Sequence, residues 1–212
     1  YHCRETSEMR TDRGPLKILL ALLVVLAGCV AAPHTAVAPG NDAPCDVPTV
    51  IAPTAPAEIP GYTELDPATG LHMTGGAQHI DLESYRLSVT GKVDHPLSLT
   101  YDELRCLPRV ETAATLVCPG FFGDEARWAG TPIREVLELA GVQEDAVALS
   151  FVSADGFSKP VLIDDALLDT GLLAYEWEGE SLPILHGFPV RVVLPEDIGS
   201  TWVKWLVAID VK

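Results

Sequence analysis

At 212 residues, with 30 Asp and Glu against 14 Lys and Arg, the chain carries a formal charge of −16 at neutral pH. So acidic a surface repels phosphate backbones and anionic lipid headgroups, which excludes nucleic acid as a partner and argues against a basic membrane-binding face. Once a leader and a linker are set aside, roughly 150 residues remain, room for one domain with one core and not for a second catalytic domain.

Leu16 to Ala32 is an apolar stretch with Arg10, Arg13 and Lys17 at its front, and it contains Leu26-Ala27-Gly28-Cys29. Counted from Met9, this has the proportions of a signal peptide, and its end resembles a bacterial lipobox in which Cys29 becomes the lipidated first residue of the mature protein. A run of this length also sits at the lower limit for a single transmembrane anchor. Either reading of residues 1–29 leaves the rest outside the cytoplasm, held at a bacterial or archaeal cell envelope. Residues 30–61 carry Pro33, Pro39, Pro44, Pro48, Pro53, Pro56 and Pro60 among Ala, Thr and Val, a composition that suits neither helix nor central strand and predicts an extended, semi-rigid tether. Residues 62–79 are Gly-rich and read as an arm packed on the domain, which fills 80–212.

Within the domain the elements are short and mixed. Arg86 to Thr90 alternates polar and apolar side chains as a half-buried strand does. Thr100 caps a short helix running through Arg105. Thr112 to Val117 is a strand that ends at Cys118 and the turn Pro119-Gly120. Thr131 and Pro132 start a helix whose Ile133, Val136, Leu137 and Ala140 share one face before Gly141 closes it. Ala146 to Ser153 and Lys159 to Ile163 are strands joined at Asp155-Gly156, and Asp164 to Leu168 is a helical turn. Leu172 to Trp177, Leu182 to Leu185, Val190 to Leu194 and Trp202 to Val211 complete a strand-rich second half. The pattern predicts an α+β fold of mixed β-sheets with short helices, without the regular alternation of a doubly wound fold.

Cys118 is the first candidate for chemistry. A strand that stops at Pro-Gly sends its last side chain out of the sheet, where loop backbone gives a bulky ligand close access. Taken by itself the plainer reading is an inert core thiol, or a disulfide with Cys45 or Cys106, which an exported protein permits. Taken singly, Arg191 reads as a salt-bridged strand residue, Lys204 as a solvated one, and Trp128 as packing.

Pieces occurring in a fixed order change that reading. They are Tyr85-Arg86-Leu87-Ser88-Val89-Thr90-Gly91, Pro96 to Leu104, the Cys118 strand, Trp128 to Ile133, Ser153 to Ser158, Leu173-Ala174-Tyr175-Glu176, His186-Gly187-Phe188-Pro189-Val190-Arg191, and Gly199-Ser200-Thr201-Trp202-Val203-Lys204-Trp205. Together, from about Ile80 to Lys212, they resemble the molybdopterin-binding domain of the sulfite oxidase family. The resemblance implies that fold, a molybdenum–molybdopterin cofactor and two-electron oxygen-atom transfer. It implies Cys118 as the thiolate ligand of the metal, soft sulfur suiting such an ion. It implies His186, Arg191 and Lys204 as the grip on the cofactor phosphate, Arg offering a planar fork, Lys a compact charge and His a ring donor. Backbone groups of Trp202 and Val203 join them, and Ser153 and Asp155 correspond more loosely to a further pterin contact. Tyr175 aligns with the tyrosine that faces the metal in sulfite-oxidising members, with a core tyrosine as the alternative.

Three departures stand beside the resemblance. Where sulfite-oxidising members carry an arginine shortly after the cysteine, this chain has Phe121-Phe122-Gly123-Asp124-Glu125, whose carboxylates serve an anionic substrate badly and point to a neutral or sulfoxide-like one. Longer members add cofactor contacts from upstream of the domain, and no equivalent is legible between Tyr62 and His79. Met9-Arg10-Thr11-Asp12-Arg13 has no adjacent arginines, the mark of leaders that export folded, loaded enzymes. Two readings result. One is an extracytoplasmic, membrane-tethered molybdopterin-dependent oxidoreductase that acts on a small-molecule substrate and exchanges electrons with a separate protein, since neither a Cys-x-x-Cys-His haem motif nor a flavin fingerprint occurs in the chain. The other is a cofactor-free binding or scaffold lipoprotein that keeps the fold.

Overall fold

A computed structural model describes residues 45–212, so the leader, Cys29 and the first part of the tether lie outside the described residues. Every described residue belongs to one compact unit. Among the described residues, ten strands and three short helices follow in chain order: β1 Leu87–Gly91, β2 Leu97–Leu99, α1 Tyr101–Arg105, β3 Val110–Cys118, β4 Phe122–Pro132, α2 Ile133–Ala140, β5 Ala148–Ser153, β6 Ser158–Leu162, α3 Asp165–Thr170, β7 Leu172–Trp177, β8 Glu180–Ser181, β9 Arg191–Val193 and β10 Leu206–Val211. One sheet has the order β2-β1-β10-β5-β6, with β1 and β10 parallel and its other pairs antiparallel. The second runs β3-β4-β7-β8, with β9 also paired to β7. This is the α+β architecture of mixed sheets and short helices that the sequence predicts.

Local chemistry accounts for most boundaries. Thr100 starts α1 through a capping box: its hydroxyl accepts from the Glu103 amide while the Glu103 carboxylate accepts from the Thr100 amide. Asp164 caps α3 through the Leu167 amide at 2.8 Å. α2 buries Ile133, Val136, Leu137 and Ala140, each large apolar side chain stabilising the fold by roughly 1.5–3 kcal/mol, and stops where Gly141 turns left-handed at φ 65°. Buried side chains from both sheets and from α2 join in one core.

Two expected elements differ. Thr131 does not cap α2, because β4 continues through Pro132 and the Thr131 hydroxyl donates to the Leu104 carbonyl at 2.9 Å. Leu182 to Leu185 is not a strand. Pro183 has no N–H to give a ladder, and a 3-10 turn over Ile184–His186 takes its place, ending at Gly187 with φ 114°. A Cβ at 187 would lie 2.9 Å from that of Arg191, so this glycine serves both the turn and the close approach of the next strand.

The described part of the tether lies against the domain. Cys45 is disulfide-bonded to Cys106 at the end of α1, Arg105 donates to the Pro48 carbonyl at 2.9 Å, and Val50 and Ala55 pack on the core. Among the described residues, no helix is long and apolar enough to cross a membrane.

Candidate functional site

β3 and β4 form a long hairpin that was not legible as a pair in the sequence. Cys118 pairs with Phe122 across a turn closed by the Phe121 amide on the Cys118 carbonyl at 3.0 Å, with Pro119 first and Gly120 second at φ 81°. Pro followed by a left-handed Gly is the signature of a type II turn. The turn holds Cys118 half-buried at the end of its strand, and among the described residues it is the free cysteine, since Cys45 and Cys106 pair with each other. A disulfide from Cys118 to Cys45 or Cys106 is thereby ruled out.

Beside the hairpin end opens a cleft of about 330 Å³. Cys118 shares its lining with Ser153 and Asp155 from the turn after β5, Arg191 from β9, and Trp202, Val203 and Lys204 from the loop before β10. Seven residues singled out from sequence thus meet in one cavity. Behind it lies an inner chamber of about 20 Å³ that shares Thr74, Leu116, Phe122, Arg191 and Lys204 with the cleft and adds His72, Asp124, Trp128 and His186.

The electrostatics of the two cavities are unusual. Arg191 is 2% exposed, its guanidinium 4.6 Å from the Trp128 ring centroid and 5.7 Å from that of Trp202. It donates to the carbonyls of His186 at 3.1 Å and Trp202 at 3.4 Å, while its buried Nε has no partner. Lys204 Nζ donates to the carbonyls of Thr74 and, at 2.9 Å, Leu185. Among the described residues no carboxylate forms an ion pair with either cation. Burial lowers Arg191 to about 9, with Asp124 opposing the shift. Burial lowers Lys204 to about 7, the neighbouring Arg191 adding to the effect and Asp155 opposing it. A buried and a half-buried cation side by side without an ion-pair partner are costly for a folded chain unless an anion joins them.

His186 lines the inner chamber but not the cleft, and its Nε2 bonds to Asp66 and Thr69 on the arm. Tyr175 lines neither cavity. It is buried on β7, its ring edge-on to Tyr101 at 6.3 Å, and burial raises its hydroxyl pKa. The Trp202 and Val203 amides donate within their own loop, to Gly199 and Thr201, so these residues contribute wall more than free donors.

The arm supplies what sequence reading missed. Tyr62, Thr74 and Gly75 line the cleft, and Met73 is buried. A segment upstream of the domain, between Tyr62 and His79, therefore does reach the cleft wall. Asp124 also plays a different part from the one expected. It is buried, accepting from the His72 amide at 2.6 Å and bonded to His72 Nδ1 at 2.7 Å, with Phe122 stacked on the His72 ring at 4.2 Å. Its carboxylate is engaged in fastening the arm. Only the turn signal of Asp66-Pro67-Ala68-Thr69-Gly70 hinted at such an anchor, and turn chemistry does not name its distant partner.

Comparison with known proteins agrees with this geometry. The family description "Oxidoreductase molybdopterin binding domain" matches residues 74–212. The chain belongs to this family. It is 34% identical over 141 residues to the uncharacterized oxidoreductase YuiH of Bacillus subtilis, covering 66% of this chain and 71% of that protein. It is 28% identical over 164 residues to the putative protein-methionine-sulfoxide reductase subunit YedZ1 of Azospira oryzae, covering 77% and 62%. Against human mitochondrial sulfite oxidase the figures are 35% identity over 164 residues, covering 63% of this chain and 30% of that enzyme. The sulfane dehydrogenase SoxCD of Paracoccus pantotrophus superposes with a TM-score of 0.61 at 27% identity, over 64% of this chain and 40% of its own. The fold is thus the sulfite-oxidase-like molybdopterin-binding fold, and this family domain corresponds to only part of the larger enzymes.

Proposed function

We propose that the chain is a molybdenum–molybdopterin-dependent oxidoreductase, tethered through Cys29 to the outer side of a cell membrane, that transfers one oxygen atom to or from a neutral substrate. The observation that carries this reading is the pair of neighbouring cations, Arg191 buried and Lys204 half-buried, which among the described residues have no ion-pair partner and lie beside the free thiol Cys118 in one cavity. The residues fit the cofactor: a phosphate satisfies both cations and the orphaned Arg191 Nε, a thiolate suits the metal, and the wider cleft receives a flat ring system. When bound, the cofactor supplies a two-electron redox centre able to give or take an oxygen atom. The balance is a substrate gaining an oxygen drawn from water while two electrons leave to a separate protein and two protons to solvent, or the reverse with two electrons and two protons supplied and water released.

The chain's own residues do the rest. Trp128 and Trp202 flank the guanidinium and keep water from it. The arm closes the inner side through Thr74. Phe122, Phe157 and Tyr62 contribute apolar wall to the cleft, and among the described residues its lining offers no Lys or Arg beyond Arg191 and Lys204. That favours a neutral sulfoxide-like substrate over sulfite. In Cys118→Ser, a hard oxygen replaces the thiolate at a half-buried turn position. Turnover in an oxygen-atom-transfer assay should fall by on the order of a thousandfold with the thermal midpoint unchanged. Full activity in this variant would refute the assignment of Cys118.

A further inference from the structure

His186 meets the inner chamber with one ring nitrogen already engaged. Its Nε2 is 2.9 Å from Asp66 Oδ2 and 2.9 Å from Thr69 Oγ1. Burial raises Asp66, but the hydrogen bonds from His186, the Ala68 amide and the Thr69 hydroxyl outweigh it and hold the carboxyl below its ordinary value. An ionised carboxylate only accepts, so Nε2 carries the ring hydrogen and donates it. Burial pushes His186 down to about 4, the Asp66 hydrogen bond offsetting only part of this, so the ring is neutral near pH 7 and Nδ1 holds a lone pair. Nδ1 has no hydrogen-bond partner among the described residues, and the ring lines the chamber.

We propose that Asp66, supported by Thr69, is a positioning residue that makes His186 a hydrogen-bond acceptor toward the chamber, so that this site selects an anion carrying a hydrogen on oxygen. The inference rests on the reading of the chamber as the seat of a cofactor phosphate. A volume of about 20 Å³ is room for roughly one water-sized atom. One protonated phosphate oxygen fits there, with the remaining oxygens against Arg191 and Lys204, which line both cavities. An oxyanion without a hydrogen instead sets a bare oxygen against the Nδ1 lone pair, and a buried site rejects an analogue that leaves its polar group unpaired. Of the other charged groups at the chamber, Arg191 and Lys204 make no such distinction between tetrahedral anions, and Asp124 has both oxygens engaged by the His72 amide and ring.

Inorganic phosphate and sulfate are similar in size and shape, but near neutral pH only phosphate retains a hydrogen. Calorimetric titration of the full chain, produced without cofactor, should show phosphate binding at least about tenfold more tightly than sulfate. In Asp66→Asn the side chain keeps its shape but loses its charge, the ring is free to place its hydrogen on Nδ1, and the preference should shrink to within about threefold. Equal affinities in the unaltered chain, or an undiminished preference in an Asp66→Asn variant of unchanged thermal midpoint, would overturn the role of Asp66 and leave the phosphate seat standing. Binding of neither anion would overturn both. Should Asp66→Asn fail to fold, ring 15N shifts of the unaltered chain decide: hydrogen on Nε2 supports the inference and hydrogen on Nδ1 overturns it.

Discussion

Buried charge is handled in two opposite ways on the two sides of one cavity wall. On the arm side, each carboxylate is hydrogen-bonded to a histidine: Asp66 holds His186 and Asp124 holds His72, each pair crossing from arm to domain, one with the carboxylate on the arm and the other with the histidine there. On the ligand side, Arg191 and Lys204 are left with carbonyls and aromatic faces. These carboxylate–histidine pairs fasten the arm. The unmatched pair weakens the cofactor-free fold and gives an anion its grip, as expected where a site is built for a ligand rather than for stability.

Removing the unmatched charge separates these consequences. Arg191→Met keeps much of the volume between Trp128 and Trp202 and deletes the fork. A lost charge-assisted contact is worth roughly 1.5–3 kcal/mol, so cofactor or phosphate retention should weaken about 10- to 100-fold, read by equilibrium dialysis. Unchanged retention would mean the guanidinium is not part of the grip.

The smaller effect concerns stability. Lys204 has its folded pKa lowered from 10.5 to about 7, so between those values the unfolded chain binds more protons than the folded one. Its contribution makes the cofactor-free chain more stable as pH rises through that window, and the penalty is fully present below it. Lys204→Met should remove this pH dependence and raise stability at pH 6 by about 1 kcal/mol while abolishing anion binding. Thermal or denaturant unfolding at several pH values provides the check, and a destabilised Lys204→Met at pH 6 would mean the amine is a structural donor to Thr74 and Leu185 instead.

The elements with local signals were legible in the sequence. The Thr100 to Glu103 capping box, the α2 stripe closed by Gly141 and β7 from Leu172 to Trp177 need only neighbouring residues to be read. The family-ordered segments also delivered the cleft residues from Cys118 to Lys204. What escaped depended on distant partners. β4 reads as polar and irregular around Asp124 and Glu125, because one of those carboxylates is buried against a histidine on the arm. The arm reads only as a Gly-rich segment packed on the domain, because Asp66 and His72 gain meaning across gaps of 120 and 52 residues, to His186 and Asp124. Tyr175 was named through alignment with a metal-facing tyrosine, and its place on β7 among Tyr101 and Thr131 could not be read from its neighbours in sequence.

Molybdenum content of the chain purified from its native host tests the central claim most directly. Elemental mass spectrometry should give close to one molybdenum per chain, falling in Arg191→Met. A folded, native chain that carries no molybdenum would contradict the account and favour a cofactor-free binding protein on the same fold.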